Sequence, residues 1–391
     1  MEKLLIVNNN MHIGGVQRAL VSLLWSLRER YEVTLLLFYA GGECLSELPP
    51  DVRVVAAESA YRYLGMTRKD AQKRPSDRLW RAFFAGITRL FGRETAIKLM
   101  AAGQPTLSGY DVAVSYLHDA VEKLFYGGCN AFVLRHVQAA RKVAFLHCDY
   151  RLCGADTAAN RRQYAAFDTI VACSEGCAAS FLAANPALKE RVRVVKNCQR
   201  YEAVRHAAAQ APIAMDATRV NVVTVARLGR EKGVSRAIDA IARLGDVGDR
   251  LHYYVVGDGV EREPIRQKIA ENGLSDRVTL CGELPNPYGY IAAADLLLIP
   301  SVSEAAPLVI GEAACLGTPV LSTATSSAEE MVAQSGFGWV CENSVDGLSK
   351  GLSALLSEPA LLRERAAVLA NAAFDDREAV EAFHRAVVCG E

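Results

Sequence analysis

The stretch from Leu296 to Ser322, LLLIPSVSEAAPLVIGEAACLGTPVLS, leaves few folds open to this chain. Leu296–Ile299 is a short apolar run of the buried-strand type, closed by Pro300. Ser301–Pro307 is a loop carrying one carboxylate, Glu304. Leu308–Leu316 has helical character, with Pro307 just ahead of its first turn. Gly317 stops that helix, Pro319 forbids its continuation, and Val320-Leu321 starts another strand. A strand–loop–helix–strand unit of this length is the building block of an α/β sheet.

The same stretch places chemistry at one spot. The first N–H groups of a helix have no partner within it and sit at the positive end of its dipole, where a phosphate fits. Glu304 lies just before them and Glu312 about a turn and a half inside. A carboxylate repels a phosphate unless it is aimed elsewhere, and the natural targets are the hydroxyls of a ribose or a sugar. A sugar-nucleotide site is one reading. A helix with a solvated Glu at its entrance and another on its exposed face is the other, and this stretch alone leaves both open.

The rest of the chain repeats the alternation twice over. In the first half, Leu4–Val7, Val33–Phe38, Val52–Ala56, Asp111–Tyr116, Val143–Leu146, Thr169–Cys173 and Val192–Val195 are predicted strands. Helices are predicted over Val16–Arg28, Val121–Phe125 and Glu175–Ala184. Lys196–Ala217, polar and alanine-rich, is predicted to be a linker. Strands at Val220–Val225, His252–Val256 and Val278–Cys281 then alternate with helices at Val234–Leu244, Val260–Asn272 and Pro287–Ala293. Helices at Leu361–Ala372 and Asp375–Val388 close the chain. At 391 residues two domains are expected, residues 1–200 joined by the terminal helix 375–391, and residues 201–374. Arg227 and Lys232 share a glycine-bearing loop after a strand, where two cations can grip a diphosphate or simply face water. His147 ends a strand, where open α/β sheets bind ligands; it could hydrogen-bond a substrate oxygen or serve structure. Gly14-Gly15 makes a close strand-to-helix turn without the GxGxxG spacing of a dinucleotide site.

Charge is unevenly spread although the total is zero: residues 1–200 carry 27 basic against 18 acidic groups, and residues 201–391 carry 17 against 26. Within 61–100 there are ten Lys/Arg and three acids, with Trp80, Phe83, Phe84, Ile87, Leu90 and Phe91 at helical spacing. That pattern suits an amphipathic helix lying on an anionic membrane surface, or one packed on its own domain with its charges in water. No nucleic-acid module accompanies the charge. No run is long enough to span a bilayer and the apolar stretch after Met1 is too short for a signal peptide, so a cytoplasmic location is expected, peripheral on the inner membrane face if 61–100 binds there. The eleven cysteines lack CxxC pairs and suit reduced thiols; His147, Cys148 and Cys153 cluster but show no fourth zinc ligand.

Two α/β domains, a cationic loop and a Glu-x7-Glu element in this order resemble a retaining glycosyltransferase of the GT-B type, family 4, the group with bacterial polysaccharide and glycolipid enzymes. The resemblance is strongest over Val223–Gly233, Val256–Gly259, Val278–Leu284 and Leu296–Thr323, and looser at Gly15 and His147. It implies two Rossmann-like, doubly wound domains facing a central cleft, the first binding acceptor and the second donor. It implies that Arg227 and Lys232 hold the donor diphosphate, Glu312 takes ribose hydroxyls, and Glu304 stands near the donor sugar. The N–H groups around Pro307, Leu308 and Val309 would cradle phosphate, Leu284 would line the nucleobase, and Gly257 would sit in the donor loop. Gly15 would approach the donor and His147 would face the transferred sugar. Catalysis would rest on Glu304, His147, Arg227 and Lys232. Ala305 and Ala306 depart from the small glycines usual after the first Glu. The expected partners are a nucleotide sugar, UDP-linked, and a glycan or lipid-linked acceptor. No cofactor and no metal is expected, since no Asp-x-Asp element is suitably placed. A UDP-sugar epimerase on the same architecture and a non-catalytic sugar-nucleotide-binding module are the alternatives.

Overall fold

The computed structural model describes all of residues 1–391 and divides the chain into two units. The first comprises Met1–Cys198 with Asp376–Glu391, and the second Gln199–Asp375. In the first unit β1 (Lys3–Asn8), β2 (Glu32–Leu37), β3 (Arg53–Ala56), β4 (Leu107–Ser115), β5 (Val137–Leu146), β6 (Thr169–Ala172) and β7 (Val192–Val194) form one sheet in the order β3-β2-β1-β4-β5-β6-β7. In the second, β8 (Val220–Val225), β9 (Leu251–Val256), β10 (Val278–Gly282), β11 (Leu296–Ile299), β12 (Val320–Thr323) and β13 (Gly338–Cys341) run β10-β9-β8-β11-β12-β13. Every pairing is parallel.

Both sheets are buried on two faces, which is why their strands are continuous apolar runs rather than alternating ones. Leu4 and Ile6 of β1 enter one core while Leu5 and Val7 enter the other. Val222 and Val223 of β8 divide in the same way. The strand order reverses between β1 and β4, and again between β8 and β11. At such a switch point two neighbouring loops diverge and leave a crevice at the carboxyl edge of the sheet.

Two local expectations are corrected. Val121–Phe125 is not a helix: the buried Arg93 guanidinium donates to the carbonyls of Ala120 at 3.1 Å and of Val121 and Tyr126 at 3.5 Å, holding the segment as turns. The predicted linker contains a helix, Tyr201–Gln210, seated on the second unit: Asn286 donates to the Ala207 carbonyl at 2.7 Å and Arg205 to that of Cys315 at 3.3 Å. The segment 61–100 forms four helices, Tyr61–Gly65, Arg68–Ala71, Pro75–Phe91 and Arg93–Met100, and the third carries the whole aromatic stripe, as its helical spacing predicts. Phe84 points into the core at 5% exposure whereas Trp80 and Phe83 stand half out at 51%. At the end of the chain, the helix Arg377–Phe383 and the wider turn His384–Cys389 return to the first unit, with Phe383 buried beside Phe145 and Tyr31 hydrogen-bonded to His384 at 2.5 Å. No helix is long and apolar enough to cross a membrane.

Candidate functional site

The switch point of the second sheet brings the loop after β8, 226–233, beside the loop after β11, 300–307. Lys232 Nζ meets Glu304 Oε1 at 2.7 Å, and the buried Ser301 hydroxyl donates to the same oxygen at 2.7 Å. Glu304 is the more enclosed partner, its side chain 11% exposed against 26% for Lys232. Gly233 makes this approach feasible: it holds φ +66, and a Cβ there would overlap the Pro300 carbonyl oxygen. The loops are also stitched by Val302 N–H donating to the Glu231 carbonyl at 2.8 Å.

Arg227 is farther out. Its guanidinium is exposed and pairs with Glu231 Oε1 at 2.7 Å, one side chain away from the Lys232–Glu304 pair. Gly257, at φ +139, lies against Ala226, whose carbonyl a Cβ would overlap, so β9 delivers its turn onto the base of the cationic loop. Leu228 N–H donates to the Asp258 carbonyl at 2.9 Å.

The helix Leu308–Cys315 begins after Pro307, which is extended at φ −69 and ψ 120. No side chain caps it; Ile310 N–H turns back to the Pro307 carbonyl at 3.2 Å, and the N–H groups of Leu308 and Val309 stand at the positive end of the dipole, a few residues after Glu304. Glu312 lies inside this helix and accepts from the Tyr288 hydroxyl at 3.2 Å. Leu308 and Val309 form its first turn. Leu284 packs at the edge of the core that holds Val256 and Ile310. No residue other than glycine has positive φ, so Ala305 and Ala306 trace their loop in ordinary backbone regions and their methyls strain nothing.

Sequence reasoning did not find the groups that hold this site. Thr323 Oγ1 donates to the Ser301 carbonyl at 2.6 Å, and Ser326 Oγ to the Glu304 carbonyl at 2.9 Å. Asn343 donates to the Val302 carbonyl at 3.0 Å and receives Arg236 at 2.8 Å. They come from the ends of β12 and β13 and from the helix Val234–Ala242, and only the fold assembles them.

In the first unit, Gly15 opens the helix Gly15–Leu27, and a Cβ built on it meets nothing within 4 Å. The loop before it is tied down by residues that the motif reading passed over. Asn10 donates to the Gly65 carbonyl at 2.6 Å, and His12 Nε2 lies 2.7 Å from Asp70 Oδ2, with its Nδ1 3.2 Å from Glu43. His147 is partly buried against Tyr116, ring centroids 4.5 Å apart, and Phe145, 5.7 Å apart, while its buried Nε2 has no partner. Burial, with a smaller push from His118, lowers its pKa to about 3, so the ring is a neutral imidazole. Neither His147, Cys148 and Cys153 nor any other group of three or more His, Cys, Asp or Glu is arranged to hold a metal ion.

Residues 208–375 match the family model of Glycosyl transferases group 1. Similar curated proteins include the 2-deoxystreptamine glucosyltransferase of Streptomyces kanamyceticus, 36% identical over 144 residues that make up 36% of this chain and 33% of that protein. The putative colanic acid biosynthesis glycosyltransferase WcaL of Escherichia coli (strain K12) is 33% identical over 152 residues, 37% of each chain. The chain thus spans about a third of the length of the curated relatives it matches. Among solved structures, Anabaena Alr3699/HepE in complex with UDP superposes with a TM-score of 0.66 at 19% identity, over 97% of this chain and 98% of that one. WaaG, a glycosyltransferase involved in lipopolysaccharide biosynthesis, gives 0.59 at 18%, again over 97% and 98%. The fold is GT-B, two Rossmann-like parallel-sheet domains, and its second unit is a group 1 glycosyltransferase domain.

Proposed function

From a chain whose second unit is a group 1 glycosyltransferase domain, we infer a retaining glycosyltransferase that moves a hexose or N-acetylhexosamine from a UDP-sugar to a polysaccharide or lipid-linked acceptor. The observation that carries this reading is the Lys232–Glu304 pair standing ahead of an uncapped helix start, with Glu312 farther along the same helix. It supplies cationic charge and free N–H groups for a diphosphate, and carboxylates for hydroxyls, within one crevice. UDP is proposed because structures of like fold are described as complexes with UDP and UDP-glucose. The acceptor class follows relatives named for colanic acid and lipopolysaccharide core biosynthesis.

In this proposal Arg227 swings from Glu231 to the diphosphate, and Lys232 and the N–H groups of Leu308 and Val309 meet the charge that grows on it. Glu312 accepts the ribose hydroxyls, Glu304 orients the donor sugar, and Leu284 and Gly257 shape the nucleotide seat. The acceptor hydroxyl attacks the anomeric carbon on the face from which the diphosphate departs, and its proton passes to the leaving phosphate oxygen. This charge neutralisation calls on side chains and helix rather than a metal ion. His147 and Gly15, and the acceptor-binding role of the first unit, rest on the family resemblance. The helix Pro75–Phe91 exposes Leu79, Trp80, Phe83, Leu90 and Phe91 among arginines, which suits docking on an anionic bilayer that carries the acceptor.

The test is a thermal-shift panel of UDP, GDP, ADP and CMP, with and without EDTA, on wild type and Glu312→Ala. A nucleotide at a hundred times its Kd adds about 2.7 kcal/mol. UDP alone should stabilise the wild type, EDTA should change nothing, and Glu312→Ala should lose the shift. A UDP shift that survives Glu312→Ala refutes the site, and conversion of a UDP-sugar without acceptor would favour an epimerase.

A further inference from the structure

Two thiols meet directly after the strand that delivers His147. Cys148 Sγ and Cys153 Sγ are 3.1 Å apart. The turn between them is fixed independently of the sulfurs. Cys153 N–H donates to the Asp149 carbonyl at 2.9 Å, and the Asp149 carboxylate accepts from Leu152 N–H at 3.1 Å and from the Ser180 hydroxyl at 2.6 Å. A disulfide needs the sulfurs to close by only about 1 Å, within reach of side-chain rotation.

The two thiols are unequal. Cys148 is 7% exposed, whereas Cys153 is partly open to solvent. The hydrogen bond between them pulls the Cys153 thiol below its ordinary pKa, aided by the Ala155 N–H and opposed by burial. The same contact, with burial, pushes Cys148 up. A partly open thiol of lowered pKa beside a sheltered one is the division of labour between an attacking and a resolving cysteine.

We propose that Cys148 and Cys153 form a reversible oxidation site that closes to an intramolecular disulfide when the protein meets a hydroperoxide. The Cys153 thiolate attacks one peroxide oxygen; an S–O bond forms, the O–O bond breaks and hydroxide leaves. Cys148 then gives up its proton and attacks the Cys153 sulfur. The S–S bond forms, the S–O bond breaks, and the departing hydroxide takes up a proton as water. With hydrogen peroxide, two thiols and one peroxide become one disulfide and two waters: sulfur is oxidised and peroxide oxygen reduced. A dithiol reductant reverses the bond by exchange. The bond tethers the main chain one residue from His147. The neighbouring pair Cys173 and Cys177, 3.8 Å apart, is buried on both sides and out of an oxidant's reach.

The full chain, reduced and desalted, is treated with hydrogen peroxide, quenched with iodoacetamide and mapped by mass spectrometry. The expected result is a peptide cross-linked through Cys148 and Cys153, lighter by two hydrogens and restored by dithiothreitol, with Cys173 and Cys177 still alkylated as free thiols. Exposed Cys389 loses its free thiol in the same sample and shows that oxidant was delivered. Cys148→Ser should abolish the cross-link and leave a dimedone adduct on Cys153. If Cys389 is oxidised while Cys148 and Cys153 both remain alkylated, the proposal is overturned, and the wild-type arm decides this whether or not the variant folds. The readout is covalent, so it stands apart from any assay of glycosyl transfer.

Discussion

Replacing Lys232 with alanine should destabilise the second unit far more than replacing Glu304 with glutamine, although both changes break the same 2.7 Å pair. The asymmetry follows from burial. Without Lys232, the Glu304 carboxylate, 11% exposed, keeps only the Ser301 hydroxyl and is left as an enclosed charge. Leaving such a group unpaired costs about 1–3 kcal/mol. Without the Glu304 charge, the Lys232 ammonium, 26% exposed, can turn to water on its flexible stem, and the loss should stay below about 1 kcal/mol. In a unit of this size each kcal/mol moves Tm by about 2–4 °C. Lys232→Ala should therefore lower Tm by about 2–12 °C, and the double variant Lys232→Ala/Glu304→Gln should recover most of that drop. Differential scanning calorimetry on the four proteins without ligand closes the cycle. Equal and additive drops for the two single variants would refute the reasoning, because the pair would then carry no coupling. Activity should follow the opposite rule. The double variant regains stability but not the charge proposed to meet the leaving diphosphate, so on that proposal kcat should remain about 10²–10³-fold down.

Gly233→Ala should cost at least about 2 kcal/mol, since an L side chain at φ +66 is strained and would strike the Pro300 carbonyl; a variant with wild-type urea midpoint would contradict the loop geometry. Burial, with help from Arg93, lowers the His118 pKa to about 4, as burial lowers that of His147 to about 3, so both are neutral in the fold. Their contribution is complete above pH ~6.5; below it the unfolded chain takes up protons that the fold refuses, and stability falls by about 1.4 kcal/mol per pH unit for each histidine. His118→Gln should make Tm against pH shallower between about pH 6.5 and 4, and an unchanged slope counts against the burial argument. Trp80→Ser/Phe83→Ser/Phe91→Ser should reduce sedimentation with anionic liposomes while leaving Tm within a few degrees, because these rings are exposed. Unchanged liposome binding removes the membrane proposal. Phe84 must be spared: it is core, and its replacement would confound binding with unfolding.

The chain itself spelled out the alternation of strands and helices, because a parallel strand buried on both faces must be a continuous apolar run, and runs such as Leu4–Val7 or Leu296–Ile299 have few other uses. The turn glycines were legible for a similar reason. Gly233 and Gly257 hold backbone conformations and close contacts that a side chain forbids. The linker and Val121–Phe125 misled because their outcome depends on remote partners, the surface around Asn286 for one and Arg93 for the other. Trp80 and Phe84 share one helix, and spacing alone could not say that one ring faces water and the other the core. The meeting of Lys232 with Glu304 was likewise a tertiary decision. Seventy-two positions separate them, and they touch only because β8 and β11 pair side by side while Gly233 lets the two loops close. A sequence records which groups can ionise, hydrogen-bond or turn tightly; the strand order decides which of them share a crevice, and with it which charge is left enclosed and which is left to water.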